Sequence, residues 1–152
     1  MAEQFLDGYV PYLLQRADQL LSARFYRSLQ RRGVQPSEWR VLAVLLDQGP
    51  QSIGALTDRS LLPQPTTTHA VTRLEARGDV RRSTTTVDRR RRIVALTSRG
   101  RRRATALIDS AQADLAASMA AAGVKITGEF VEQLTSTIRK LERGSDSADS
   151  DR

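Results

Sequence analysis

The sequence predicts a mainly α fold carrying one small β-hairpin, and three observations support that reading. Apolar residues recur at spacings of three and four along most of the chain, glycine and proline punctuate those stretches, and only residues 80–96 turn β-branched, around a run of arginines. At 152 residues the chain has the length of one ordinary domain. With 39% apolar and 27% charged residues, its composition belongs to folded rather than disordered proteins.

The first long helical pattern runs from about Pro11 to Arg32, with Leu14, Ala17, Leu21, Phe25 and Leu29 on one face. Pro11 is tolerable only near its start, because proline lacks the N–H that an interior turn uses. Phe5, Leu6, Tyr9 and Val10 precede it as a second apolar group, which needs its own core or another subunit to cover it. Gly33 ends the helix. Pro36 and Ser37 open the next, with Ser37 expected as its N-cap. That helix, about Glu38 to Gln48, is the most apolar short one through Trp39, Val41, Leu42, Leu45 and Leu46, and Gly49 with Pro50 stops it.

Ser52 is placed to cap a short helix from about Ile53 to Arg59, before a break at Leu61, Leu62 and Pro63. Another helix runs from Gln64 or Pro65 to Arg77, buries Ala70, Val71 and Leu74, and stops at Gly78. Two short helices joined by a tight turn make a helix-turn-helix candidate. Val80 to Thr86 and Ile93 to Leu96 read as the strands of a hairpin with its tip at Val87 to Arg91. Thr97 can cap a long helix from Ser98 to about Ala121, carrying Ala104, Leu107, Ile108, Ala111, Leu115 and Met119; Gly123 interrupts it. The last helix starts near Thr127, with Val131, Leu134, Ile138 and Leu141 spaced like a coiled-coil seam or for packing within one subunit. Residues 144–152, acidic and rich in serine, are expected to be disordered.

Charge is unevenly distributed. Residues 77–103 hold eleven arginines against Asp79 and Asp88, a local net charge of +9 that leaves −2 for the rest of a +7 chain. Such a concentrated field suits a polyanionic partner. All seven aromatic residues lie outside residues 40–129, so the basic region has no platform for stacking unpaired bases, and duplex DNA is favoured over single-stranded RNA.

Several function classes are disfavoured. The absence of cysteine excludes disulfides, thiolate metal sites and thiol chemistry, and with His69 as the only histidine no multi-ligand zinc site can form within one chain. No nucleophile, base and acid can be assembled, and no glycine-rich phosphate loop follows a strand, so neither an enzyme nor a cofactor is expected. No apolar run approaches the ~20 residues of a membrane span and no signal peptide is recognisable, which predicts a cytoplasmic protein.

Together these elements describe a winged helix-turn-helix with helical extensions. Residues 9–141 resemble the MarR family of bacterial regulators, most sharply in VTRLEARGDVRR, the hairpin, and DRRRRIVALTSRG. In that family the hairpin carries Asp-x-Arg, then Leu-Thr and, three residues later, Gly; here these are Asp88, Arg90, Leu96, Thr97 and Gly100. The chain then divides into a helical dimerisation part, 1–36 and 104–143, a DNA-binding part, 37–103, and the tail, 144–152.

The second helix of such a pair enters the major groove N-terminal end first. Gln64, Thr66, Thr67, Thr68, His69 and Arg73 take its exposed positions in this reading. Gln can read adenine, Thr can reach phosphate or a thymine methyl, and Arg can fork onto guanine. Capping of the helix by one threonine, Thr66 above all, is the alternative for that cluster. His69 falls where the family pattern often has Arg; it contacts a base edge or phosphate, or else faces solvent. At the tip, Arg89, Arg90 and Arg91 project alternately, so at least one should enter the adjacent minor groove, while Asp88 orients a neighbouring arginine. Arg81, Arg82, Arg101 and Arg102 are expected on phosphates or in solvent.

The resemblance further implies a homodimer formed by the first and last helices, and a small aromatic ligand bound between the dimerisation and DNA-binding parts. Tyr26, Trp39 and Arg40 lie at that junction, although core aromatics are the simpler reading of Tyr26 and Trp39. The function so predicted is a sequence-specific regulator of transcription, a repressor relieved by a small molecule, on a pseudo-palindromic duplex site. The alternative is an architectural protein that coats DNA with little sequence preference.

Overall fold

Proline and glycine decide where most of the helices begin and end. The computed structural model describes residues 5–84 and 92–149. A short helix α1 (Phe5–Gly8) precedes α2 (Val10–Arg31), whose first turn takes Pro11 at no cost in hydrogen bonding. Gly33, at φ +63°, lets the chain turn out of α2, and the Val34 N–H returns to the Leu29 carbonyl at 3.0 Å.

Helix α3 (Pro36–Gln48) begins earlier than the sequence suggests. Its N-cap is Gln35, Pro36 stands in the first turn, and Ser37, the expected cap, lies inside the helix. Glu38 is the reason: its Oε2 accepts the Gln35 N–H at 2.9 Å and so closes the helix start from the third position. After strand β1 (Gln51–Ser52), Ser52 caps α4 (Ile53–Ser60) as expected, its Oγ accepting the Ala55 N–H at 3.2 Å. Helix α5 (Gln64–Ala76), strands β2 (Val80–Thr84) and β3 (Arg92–Leu96), and helices α6 (Ser98–Ala122) and α7 (Gly128–Asp149) complete the order.

The sheet is antiparallel in the order β1-β3-β2, with Val80 opposite Leu96 and Thr84 opposite Arg92 in the hairpin. Strand β1 adds Gln51 opposite Val94; two residues are too few for a period-2 signal, and the sequence reading had no third strand. The expected tip, with Asp88, Arg89, Arg90 and Arg91, lies outside the described residues.

The described residues up to Ser118 form one compact unit and those from Met119 onward a second. The core of the first is built from Leu29, Leu42, Leu45, Leu56, Val71, Leu74 and Val94, all fully buried. Phe5, Leu6, Val10 and Leu20 of the same unit remain exposed. In the second unit Thr127 caps α7 by accepting the Phe130 N–H at 3.2 Å, while Phe130, Val131, Ile138 and Leu141 are exposed.

Helix α7 continues to Asp149, although residues 144–152 read as disordered in the sequence. That segment contains no proline, and a single interior glycine, Gly144, costs only about 1 kcal/mol relative to alanine. An unfavourable composition is therefore not a helix stop. No helix among the described residues is long and apolar enough to cross a membrane.

Candidate nucleic-acid interface

The helix-turn-helix is α4, the turn 61–63 and α5. Leu61 adopts the left-handed conformation, φ 53°, that ends α4, and Arg40 Nη1 donates to the carbonyls of Ser60 and Leu61 at 3.4 and 3.5 Å. Arg40 thereby satisfies C-terminal carbonyls that α4 itself leaves without partners. On α5, Gln64, Thr68 and His69 are exposed and Thr66 is half-buried. None of the threonines caps the helix, whose N-cap is Pro63.

Thr67 requires a correction. It was expected to face DNA, but it is fully buried and its Oγ1 donates to the Pro63 carbonyl at 3.3 Å. The spacing of Thr67, Ala70, Val71 and Leu74 puts all four on the core face of the helix; a threonine that bonds to its own backbone can occupy such a face.

Arg73 is half exposed yet held. Its Nε donates to Glu38 Oε1 at 2.9 Å, and Arg77 Nη1 donates to Glu38 Oε2 at 3.1 Å. Glu38 has no exposed surface, so a buried carboxylate at the start of α3 ties two arginines of α5 and its C-cap to the core. An ion pair in this setting is costly to break from one side, by about 3–5 kcal/mol, because the remaining charge stays buried. On the outer side of α5, Arg82 of β2 pairs with Glu75 at 3.1 Å and donates to Thr72 Oγ1 at 2.8 Å, joining the hairpin to the helix.

A second buried carboxylate organises the far end of α5. Gly78, φ +73°, turns the chain so that Asp79 enters the core. Arg103 Nη1 donates to Asp79 Oδ2 at 2.5 Å; Oδ1 accepts no hydrogen bond from the described residues and has the charge of Arg99 Nε at 3.4 Å. Thr97 closes the joint. Its N–H donates to the Asp79 carbonyl at 3.0 Å, its Oγ1 donates to the Gly78 carbonyl at 2.7 Å, and the same oxygen accepts the Gly100 N–H at 3.0 Å. Gly100 lies so close that a Cβ there would stand 1.8 Å from the Asp79 carbonyl oxygen. The Leu-Thr-x-x-Gly pattern is thus a packing requirement: only glycine lets α6 approach the end of α5.

Among the described residues, the basic stretch accordingly has two classes of arginine. Arg77, Arg82, Arg99 and Arg103 are matched to carboxylates, whereas Arg81, Arg92, Arg101 and Arg102 are exposed. Arg82, expected on phosphate or in solvent, belongs to the first class.

Tyr26, Trp39 and Arg40 have different partners among the described residues. Tyr26 lines a recess of about 330 Å³ with Arg27, Gln30, Val34, Gln35 and Pro36. The Trp39 ring instead packs edge-on against Phe25, centroids 4.9 Å apart, and Arg40 is engaged at the end of α4. Residues that sequence reasoning missed are Glu38 and Asp79. An acid at the third position of a helix signals a cap, but its burial between arginines 35 and 39 residues away carries no local signature.

Residues 34–91 match the MarR family, a span that runs from the start of α3 into the hairpin. A MarR family transcriptional regulator from Silicibacter pomeroyi DSS-3 is 33% identical, with 91% of this chain and 98% of that one covered and a TM-score of 0.75. Another MarR family regulator from Silicibacter pomeroyi is 28% identical over 93% of this chain and 92% of its own, TM-score 0.73. The same fold, at 24% identity and TM-score 0.73 over 93% of this chain and 98% of that one, is found in Bordetella bronchiseptica BpsR, described by regulation of its DNA binding by 6-hydroxynicotinic acid. Curated protein sequences give no match. With its helix-turn-helix, its hairpin, and a MarR family relative that it matches at 33% identity over 91% of its length, the chain belongs to the MarR family of transcriptional regulators.

Proposed function

We propose that this regulator is a homodimeric, sequence-specific repressor that reads duplex DNA with α5 and grips it with the hairpin. The observation that carries the reading is the exposed edge of α5, Gln64, Thr68 and His69 with half-buried Thr66 and anchored Arg73, set beside the exposed Arg81, Arg92, Arg101 and Arg102. In this reading the polar edge meets base edges in the major groove, and the surrounding arginines meet phosphates. Arg89, Arg90 and Arg91 reach the flanking minor groove, with Asp88 orienting one of them.

Dimerisation rests on apolar side chains that the described chain leaves uncovered: Phe5, Leu6 and Val10 before and at the start of α2, and Val131, Ile138 and Leu141 on α7. Light scattering should report about twice the 16.9 kDa chain mass at micromolar concentration. A monomer there would remove the dimer from the account.

A dimer presents two recognition helices to one side of the duplex, spaced about 34–36 Å. Selection from a random duplex library should therefore enrich a pseudo-palindrome with half-sites one helical turn apart. A library that emerges without enrichment favours the architectural alternative, which the arginine content would also serve. A small aromatic ligand, entering at the Tyr26 recess, would release the DNA; the regulation of BpsR by 6-hydroxynicotinic acid in the same fold supports the ligand class.

A further inference from the structure

Glu38 is a buried acid behind the proposed DNA-reading helix, where an anion needs a reason to be. Three donors hold its carboxylate: Arg73 Nε at 2.9 Å, Arg77 Nη1 at 3.1 Å and the Gln35 N–H at 2.9 Å. Fixed from three directions and without exposed surface, it cannot swing to follow either arginine. The two arginines, one on α5 and one at its C-cap, are four residues apart, so one carboxylate meets both.

We propose that Glu38 is a positioning residue for sequence reading: it orients Arg73 for a guanine contact and withholds Arg77 from the phosphates. The proposal rests on the assignment of α5 as the DNA-reading helix. A guanidinium carries five donors in one plane, and a carboxylate on Nε leaves the opposite edge of that plane to a second acceptor. A two-pronged contact to guanine O6 and N7 needs that plane fixed, and an arginine already held in place loses less conformational freedom on binding. Arg73 meets both conditions, since its inner edge is anchored while 48% of its side chain remains exposed. It also lies four residues after exposed His69, on the same side of the helix. For Arg77 the effect is opposite: its charge is cancelled by the carboxylate, which removes a contact that would strengthen binding to every sequence alike. The same acid therefore favours reading over gripping. A mere structural tie would need neither the half-exposed position of Arg73 nor its place on the His69 side.

Full-length variants are tested on a duplex selected by the wild-type protein and on a shuffled duplex, each across a salt series. Glu38→Gln should bind the shuffled duplex up to about tenfold more tightly and steepen its salt slope by about one unit, because one phosphate contact is gained. Its preference for the selected duplex should shrink at least tenfold. Glu38→Asp keeps the charge but withdraws it by one methylene, so binding to the shuffled duplex should stay at the wild-type level while the preference falls. Arg77→Gln keeps Arg73 and the Gln35 N–H on the acid, and should leave affinity and slope on the shuffled duplex unchanged. The proposal is overturned if Glu38→Gln weakens both duplexes in equal proportion, or if Arg77→Gln lowers the slope by one unit. Should Glu38→Gln not fold, the other two variants still decide. Failure of the wild-type protein to prefer its selected duplex would instead overturn the reading of α5 on which this rests.

Discussion

Replacing Gly100 by alanine is expected to destabilise the protein by about 3 kcal/mol or more, the upper range for a single added methyl group. The new Cβ would stand 1.8 Å from the Asp79 carbonyl oxygen and 2.7 Å from its carbon, and these are backbone atoms that no rotamer change can move aside. Relief requires α6 to move away from the turn at Gly78 and Asp79. The hydrogen bonds of Thr97 to Gly78, Asp79 and Gly100 oppose that movement, as does the pairing of Arg103 with buried Asp79. Because this joint anchors the C-terminal end of α5, DNA binding should fall with stability. Denaturant unfolding would show a lower midpoint at an unchanged slope. Gly54→Ala is the control: its nearest neighbour is Ser52 Oγ at 4.0 Å, so the helix should gain up to about 1 kcal/mol from alanine's higher propensity. Equal midpoints for the Gly100 variant and the wild type would mean that the joint is slack.

The second large effect concerns Arg89, Arg90 and Arg91, the arginines of the expected hairpin tip. Changing all three to alanine should lower the salt slope of DNA binding by about one to three units, and with it the affinity by about one to three orders of magnitude at moderate salt. Their loss should also reduce sensitivity to A·T content beside the half-sites, where a narrow minor groove attracts arginine. Binding that keeps both its slope and its sequence preference would show that these side chains do not reach DNA. In that case the exposed Arg81, Arg92, Arg101 and Arg102 would have to carry the electrostatic attraction.

Much of the fold was legible because its signals are local. Pro11, Gly33, Gly49 and Gly78 mark helix ends through their backbone chemistry, Ser52 and Thr97 through their hydroxyls, and each lies at an end in the structure. Where the reading failed, a specific hydrogen-bond or ion-pair partner had displaced a preference read from residue type alone. Ser37 is a better N-cap than Gln35 in isolation, but the Glu38 carboxylate bonds to the Gln35 N–H and sets the start there. Thr67 reads as polar by type and is core by spacing, and spacing prevailed because its hydroxyl bonds to Pro63. The arginine run overstated the exposed charge, since Arg99 and Arg103 approach Asp79, Arg77 pairs with Glu38 and Arg82 pairs with Glu75. Contacts between residues this far apart in sequence leave no mark in composition or period. The motif residues fared better: Thr97 and Gly100 were identified by resemblance, and the structure supplies their physical reason.

Sequence-specific duplex binding is the central claim, and its most direct test is the ratio of affinities for the selected duplex and a shuffled duplex of equal length and composition. The measurement belongs at physiological salt, where electrostatic attraction common to all DNA is reduced. The account predicts a preference of at least about 10³-fold, in the range of specific DNA-binding proteins. A ratio within a few-fold of unity would contradict it, and would make this chain a protein that grips DNA without reading it.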